Sequence, residues 1–120
     1  MRNITAEQLE ALETMAEFND RLLKNLPTLI SELSGNRQPD TDQYQKNITD
    51  AINWEISVTN STLEVLNQDK MRINKEDFNQ KILTLNSALS SKTDSAIAGA
   101  LEALIPCFEQ LGIAVREVIK

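Results

Sequence analysis

Apolar residues recur every three or four positions in four separate segments of the chain. This spacing follows the α-helical turn of about 3.6 residues, on which such positions share one face. The segments cover about residues 6–34, 41–67, 75–90 and 94–119, with short polar stretches between them. Short connections favour antiparallel neighbours. The pattern therefore predicts an all-α, antiparallel four-helix bundle in a single domain, residues 1–120.

The four apolar stripes differ in regularity and width. The last segment has no polar exception along Ile97, Leu101, Leu104, Phe108, Leu111, Val115 and Val118. The third is short, and its stripe is narrow: Phe78, Ile82, Leu85 and Leu89. In the first segment, Asn19 interrupts the stripe. A buried asparagine can specify how helices pair, whereas one at the rim is solvated, and the spacing allows both.

Local signals mark where the helices begin and end. Thr5 and Gln8 have the spacing of a capping box, in which two side chains satisfy free backbone N–H groups at a helix start. Asp40 and Gln43 repeat that spacing before the second helix. Residues 34–39, Ser-Gly-Asn-Arg-Gln-Pro, are typical of a loop after a helix.

Two prolines fall inside predicted helices, Pro27 in the first and Pro106 in the last. Proline has no N–H and crowds the carbonyl four residues before it, so it kinks or ends a helix. The apolar spacing keeps its phase across Pro27, which favours a kink over two helices that meet there. We expect the first and last helices to be kinked.

Charge and composition narrow the classes of partner. The chain has 120 residues and a formal net charge of −6. It has no cluster of Lys and Arg of the kind that binds nucleic acid or anionic lipid. No uninterrupted apolar run approaches the about 20 residues that cross a bilayer, and the acidic, amphipathic N-terminal segment is unlike a signal peptide. We expect a cytoplasmic protein that binds neither nucleic acid nor membrane.

The residues that usually carry chemistry are scarce. The sequence has no histidine, one cysteine and no glycine-rich phosphate loop. Catalytic triads, histidine metal motifs and zinc sites are therefore missing from the sequence. Cys107 follows a helical line of apolar residues and is expected to be a buried, inert thiol. The sequence predicts no catalytic residue, no metal site and no cofactor, and hence no enzyme.

Four glutamates form an acidic row along the first helix: Glu7, Glu10, Glu13 and Glu17. Such a row could bind a cation or a basic partner. It is also the usual pattern of a solvated face opposite an apolar stripe, and that interpretation is the more common one.

The apolar arc of the second helix is the one sequence feature that indicates a function. The arc is unusually wide and includes Ile48, Ala51, Ile52, Trp54, Ile56 and Val58. Trp54 and Tyr44 are either ordinary core residues, the more frequent case, or anchors of an interface. If the core covers only one side of the arc, a partner must cover the other. The candidate partner-binding residues are Tyr44, Ala51, Trp54 and Val58.

This arc predicts a non-catalytic protein–protein interaction module. Its forms would be an adaptor, a chaperone for an exported partner or a self-associating bundle such as a homodimer. The alternative is a helical bundle that binds or senses a small molecule in a pocket opened by the proline kinks, because bundles also hold ligands between their helices.

About half of the chain, residues 51–111, resembles an uncharacterised family of small helical proteins, a domain of unknown function, from Gram-positive, largely clostridial bacteria. The shared features are a Trp-bearing helix that ends in Leu66-Asn67, then Ile73-Asn74, Ala88-Leu89 and Leu104-Ile105-Pro106. Residues 94–100 depart from it, with small side chains in place of bulkier ones. The resemblance implies helices and a bacterial cytoplasm but no activity. A looser, fold-level likeness is to flagellar export chaperones.

Overall fold

Four α-helices make up the fold, as the sequence predicts. The structure, a computed structural model, describes residues 4–119, and this range contains no β-strand. The helices are α1 (Ala6–Leu33), α2 (Thr41–Leu66), α3 (Lys75–Ser91) and α4 (Asp94–Ile119). The prediction of an all-α helical bundle is confirmed.

The first and last helices, α1 and α4, pack on each other and form the centre of the bundle. The helix α2 packs mainly on α1 and touches α4 less, whereas α3 packs on α4 alone. Within the described range, α2 and α3 do not contact each other. The narrow stripe of α3 explains its single neighbour, because one stripe covers one helix. The molecule is elongated, with principal extents of 49 × 24 × 18 Å.

The helix α4 supplies much of the core. All seven residues of its predicted stripe are buried, and Phe108 stacks edge-on against Phe78 of α3 with ring centroids 5.9 Å apart. By length and composition alone, α4 could also cross a membrane. In this fold its apolar face is covered by α1 and α3. A core helix flanked on two sides has the same composition as a membrane span.

One of the two predicted capping boxes is present. The Gln8 N–H donates to Thr5 Oγ1, and the Thr5 N–H donates to Gln8 Oε1, each at 3.1 Å. The second prediction is wrong, because the side chain of Asp40 makes no capping bond. Its backbone (φ −102°, ψ 9°) is not the extended conformation that aims a cap at the helix start. Thr41 accepts from the Gln38 N–H at 2.7 Å instead.

Neither proline breaks its helix. The helix α1 is continuous through Pro27, and α4 is continuous through Pro106. The alternative of two helices meeting at Pro27 is therefore wrong. Both proline residues are exposed, so the hydrogen bonds that they interrupt lie towards solvent. The kinks themselves stay a prediction.

Two glycines of α4 give opposite expectations for substitution by alanine. A Cβ on Gly112 would lie 2.9 Å from Asn19 Nδ2, whereas one on Gly99 would meet nothing within 4 Å. Gly99→Ala should raise the free energy of unfolding by about 0.5–1 kcal/mol, because alanine loses less backbone entropy. Gly112→Ala should lower it by about 1–2 kcal/mol, because the Asn19 amide must move away from its buried acceptor. Urea unfolding of both variants measures this, and changes of the same sign would contradict it.

Candidate functional site at the contact between α1 and α2

Trp54 lies on the surface of the bundle. Its side chain is 38% exposed, and its ring lies 5.0 Å from the ring of Phe18 between centroids, tilted by 50°. The expectation that Trp54 belongs to the core is wrong. Its neighbours Ile52 and Glu55 take the inward-facing positions of α2, which leaves Trp54 on the flank of the buried face.

A shallow groove of about 240 Å³ runs along the outside of α1 and α2 beside this aromatic pair. Its walls come from two turns of each helix. The apolar lining consists of Phe18, Leu22, Tyr44, Ile48 and Ala51. Arg21, Asn25 and Asn47 form a polar rim. The Tyr44 hydroxyl donates to the Asn25 carbonyl at 3.2 Å, which fixes that ring across the two helices.

The predicted partner-binding residues separate into two groups. Tyr44 and Ala51 are half-buried and line the groove, and Trp54 is exposed next to it through Phe18. Val58 is 9% exposed and belongs to the core, so it cannot contribute to an open surface. We call Phe18, Tyr44, Ala51 and Trp54 the α1–α2 docking face.

The inward face of α2 carries polar residues that the apolar pattern does not reveal. Its fully or nearly buried positions include Ile48, Ile52, Glu55, Thr59, Thr62 and Leu66. Thr59 and Thr62 donate their hydroxyl groups to backbone carbonyls one turn back, those of Glu55 and Val58. Glu55 makes no such hydrogen bond: its side chain is 0% exposed, and neither of its carboxyl oxygens has a hydrogen-bond partner.

Burial raises the pKa of Glu55 from 4.5 to about 8. The cause is desolvation, because a charged carboxylate is far less stable away from water than a neutral carboxylic acid. Sequence reasoning missed this residue. The signal was available, since residues 48, 52, 55, 59, 62 and 66 follow unbroken three-and-four spacing.

The helix α1 also carries a buried polar residue, Asn19. It is 1% exposed, and its Nδ2 donates to the Phe108 carbonyl of α4 at 2.9 Å. Of the two alternatives left open by the sequence, the buried one is correct. Its Oδ1 has no partner. Gly112 leaves the space that this contact between α1 and α4 needs.

A second cavity, of about 250 Å³, lies between α3 and α4 beside Pro106 and Cys107. Arg72 lines it with a side chain only 5% exposed, held in ion pairs with Asp69 and Glu117. Cys107 is half-buried rather than buried, and desolvation raises the pKa of its thiol. A raised pKa keeps a thiol protonated and unreactive.

The acidic row of α1 is solvated, since all four of its glutamates are exposed. Within residues 4–119, no group of three or more His, Cys, Asp or Glu side chains is placed to hold a metal ion.

Comparison with known proteins gives one family and no individual relative. No curated protein and no solved structure matches the chain. A family described as a domain of unknown function, DUF8042, matches residues 10–113, which include most of α1, all of α2 and α3, and most of α4. The chain belongs to this DUF8042 family.

Proposed function

We propose that this protein is a non-catalytic protein–protein interaction module of the bacterial cytoplasm, and that the α1–α2 docking face is its binding surface. The observation that carries the proposal is the exposed Trp54, packed on Phe18 at the edge of an apolar groove. Tryptophan and tyrosine are among the residues that most often dominate the binding energy of protein interfaces.

The occupant that fits this face is a short amphipathic helix of another protein. The groove follows two turns of α1 and two turns of α2, and a third helix laid between two others buries its apolar side in such a groove. The net charge of −6 makes two copies of the chain repel each other at long range. The net charge of the chain therefore favours a helix from a basic partner protein over a homodimer. An adaptor or an export chaperone would use the face in this way.

The alternative function is small-molecule binding in the cavity beside Pro106. Its location at a helix-interior proline is the observation in its favour. Its volume of about 250 Å³ lies just below the range of about 300–1,000 Å³ typical of ligand pockets. The aromatic surface therefore supports the interaction module better.

The proposal is tested with Trp54→Asp and the control Leu83→Asp. Leu83 is also an exposed apolar residue, 58% exposed, but it lies on α3, which does not contact α1 or α2. We expect Trp54→Asp to weaken partner binding at least about thirtyfold, because it removes the aromatic anchor and puts a charge on the face. Affinity capture from the native host identifies the partner. Calorimetric titration of the partner's helix into the wild type and both variants then gives the three affinities.

Circular dichroism must show that both variants keep their helices. Binding that survives Trp54→Asp, or that falls equally in Leu83→Asp, would overturn the proposed face. Gel filtration with light scattering examines self-association: a wild-type dimer that Trp54→Asp converts to a monomer would identify a second copy as the occupant in place of a partner helix.

A further inference from the structure

Three buried oxygens on two neighbouring helices have no hydrogen-bond donor. They are Oδ1 of Asn19 on α1 and both carboxyl oxygens of Glu55 on α2. An amide oxygen and an ionised carboxylate only accept hydrogen bonds, so they cannot satisfy each other. Leaving buried polar atoms unpaired is costly, so the protonation state of Glu55 decides whether this site has a hydrogen-bond donor.

The register of the two helices places Asn19 and Glu55 at the same level. The Thr59 hydroxyl of α2 lies 3.7 Å from Met15 Sδ of α1. Asn19 is one turn further along α1, and Glu55 is one turn back along α2. The contacts of Tyr44 with Asn25 and of Trp54 with Phe18 show that α2 runs antiparallel to α1, so these two steps lead in the same direction. The aromatic contact between Phe18 and Trp54, the residues just before them, supports the same register.

We propose that Glu55 is held as a neutral carboxylic acid whose hydroxyl donates to Asn19 Oδ1, completing a chain of two hydrogen bonds from α2 through α1 to the Phe108 carbonyl of α4. The second of these bonds, from Asn19 Nδ2 to the Phe108 carbonyl, is 2.9 Å long. A protonated carboxyl group supplies the donor that the site otherwise lacks.

The surroundings of Glu55 favour the neutral form. Met15 and Asn19 are the α1 residues that the register places beside it, and neither titrates. The charged residues near this level of α1 and α4 are all exposed: Glu17, Asp20, Arg21, Glu109 and Arg116. Arg116 pairs with Asp20 at 2.6 Å. On α2 itself, Asp50 and Glu64 are exposed. With desolvation as the cause, the raised pKa of Glu55 agrees with a site that no cation neutralises.

Loss of the proton to a base in solvent breaks the chain at its first bond. The resulting carboxylate has no proton to donate, and it repels the amide oxygen that it faced. The hydrogen bond from α2 to α1 is then lost, while the bond between the Asn19 side chain and the Phe108 carbonyl persists. The site thus makes the attachment of α2 sensitive to pH in the alkaline range.

Carbon-13 NMR of the side-chain carbonyl groups tests the proposal in the full chain. The Glu55 carboxyl carbon should titrate with a midpoint near 8, and the Asn19 side-chain carbonyl carbon should follow the same midpoint. In Asn19→Ala, the Glu55 midpoint should fall by at least about one pH unit, because the neutral acid loses its acceptor. The packing control Ile52→Val should leave it within about 0.3 units.

A wild-type Glu55 midpoint near 4.5 would overturn the proposal. So would a high midpoint that Asn19→Ala leaves unchanged, since burial alone would then explain it. If Asn19→Ala fails to fold, the titration of the wild type alone tests the proposal. An Asn19 carbonyl resonance that stays constant through the Glu55 titration shows that no hydrogen bond joins them, whereas a shared midpoint supports the bond.

Discussion

Replacing Glu55 with methionine is expected to stabilise the protein at pH 7 by about 2–4 kcal/mol. The wild type must keep a carboxyl group in the core with no charged partner and no exposure to water. Methionine has a similar length, fills the same space and has no charge to desolvate. The gain is reduced by the loss of one hydrogen bond, which is worth about 1 kcal/mol.

The pH dependence has a definite sign. Below pH 4.5, Glu55 is protonated in both the folded and the unfolded chain and adds no pH dependence. Between 4.5 and about 8, the unfolded chain releases the proton and the folded chain keeps it, so stability falls as pH rises. The slope approaches about 1.4 kcal/mol per pH unit, which corresponds to about 3 kcal/mol at pH 7. Above pH 8 both states are ionised, and the dependence levels off.

Urea unfolding of the wild type and Glu55→Met between pH 5 and 9 measures the effect. Subtraction of the two curves removes the contributions of groups that titrate in both proteins. Glu64→Met is the matched control, because Glu64 is exposed on the same helix, and it should change stability by less than about 0.5 kcal/mol. A Glu55→Met variant that is less stable than the wild type at pH 7, or a difference that does not vary with pH, would contradict the expectation.

The core of α4 could be predicted residue by residue. Its stripe has no polar exception over seven positions, so one face was available to the other helices, and all seven residues are buried. The burial of Asn19 could not be predicted, because it depends on how closely α4 approaches. That approach is set by Gly112, which has no side chain to keep the Asn19 amide away.

Apolar spacing predicts only part of the inward face of α2. Glu55 and Ile56 both lie at helical spacing from Ile52 and Thr59, and an apolar pattern includes Ile56 because Glu55 is charged. Ile56 is only half-buried, and Glu55 is completely buried. Apolar periodicity finds the face of a helix but steps over a polar residue within it, because it assumes that burial follows side-chain type.

The candidate docking face depends on two helices at once. The sequence places Trp54 within a wide apolar arc but does not show which part of the arc α1 covers. The ring of Phe18 lies beside Trp54 only because of the register of α1 against α2. Tyr44 and Ala51 line the groove, whereas Val58, on the same arc, is in the core.

We expect α1 and α4 to be the most stable part of the bundle, and α2 to be attached to them by a weaker contact that contains the buried carboxyl group of Glu55. The helix α1 packs on α2 and α4, and α4 packs on all three others, so opening either one disrupts most of the buried surface. Release of α2 exposes only its contact with α1 and a small contact with α4. Native proteins open locally in such units, at a lower free energy than complete unfolding.

Native-state amide hydrogen exchange at pH 7, resolved by residue, measures this difference most directly. We predict that the slowest amides lie in the middle of α1 and α4, and that the amides of α2 around Glu55 exchange at least about tenfold faster after correction for intrinsic rates. One common protection factor for all four helices, or the slowest exchange in α2, would contradict the account.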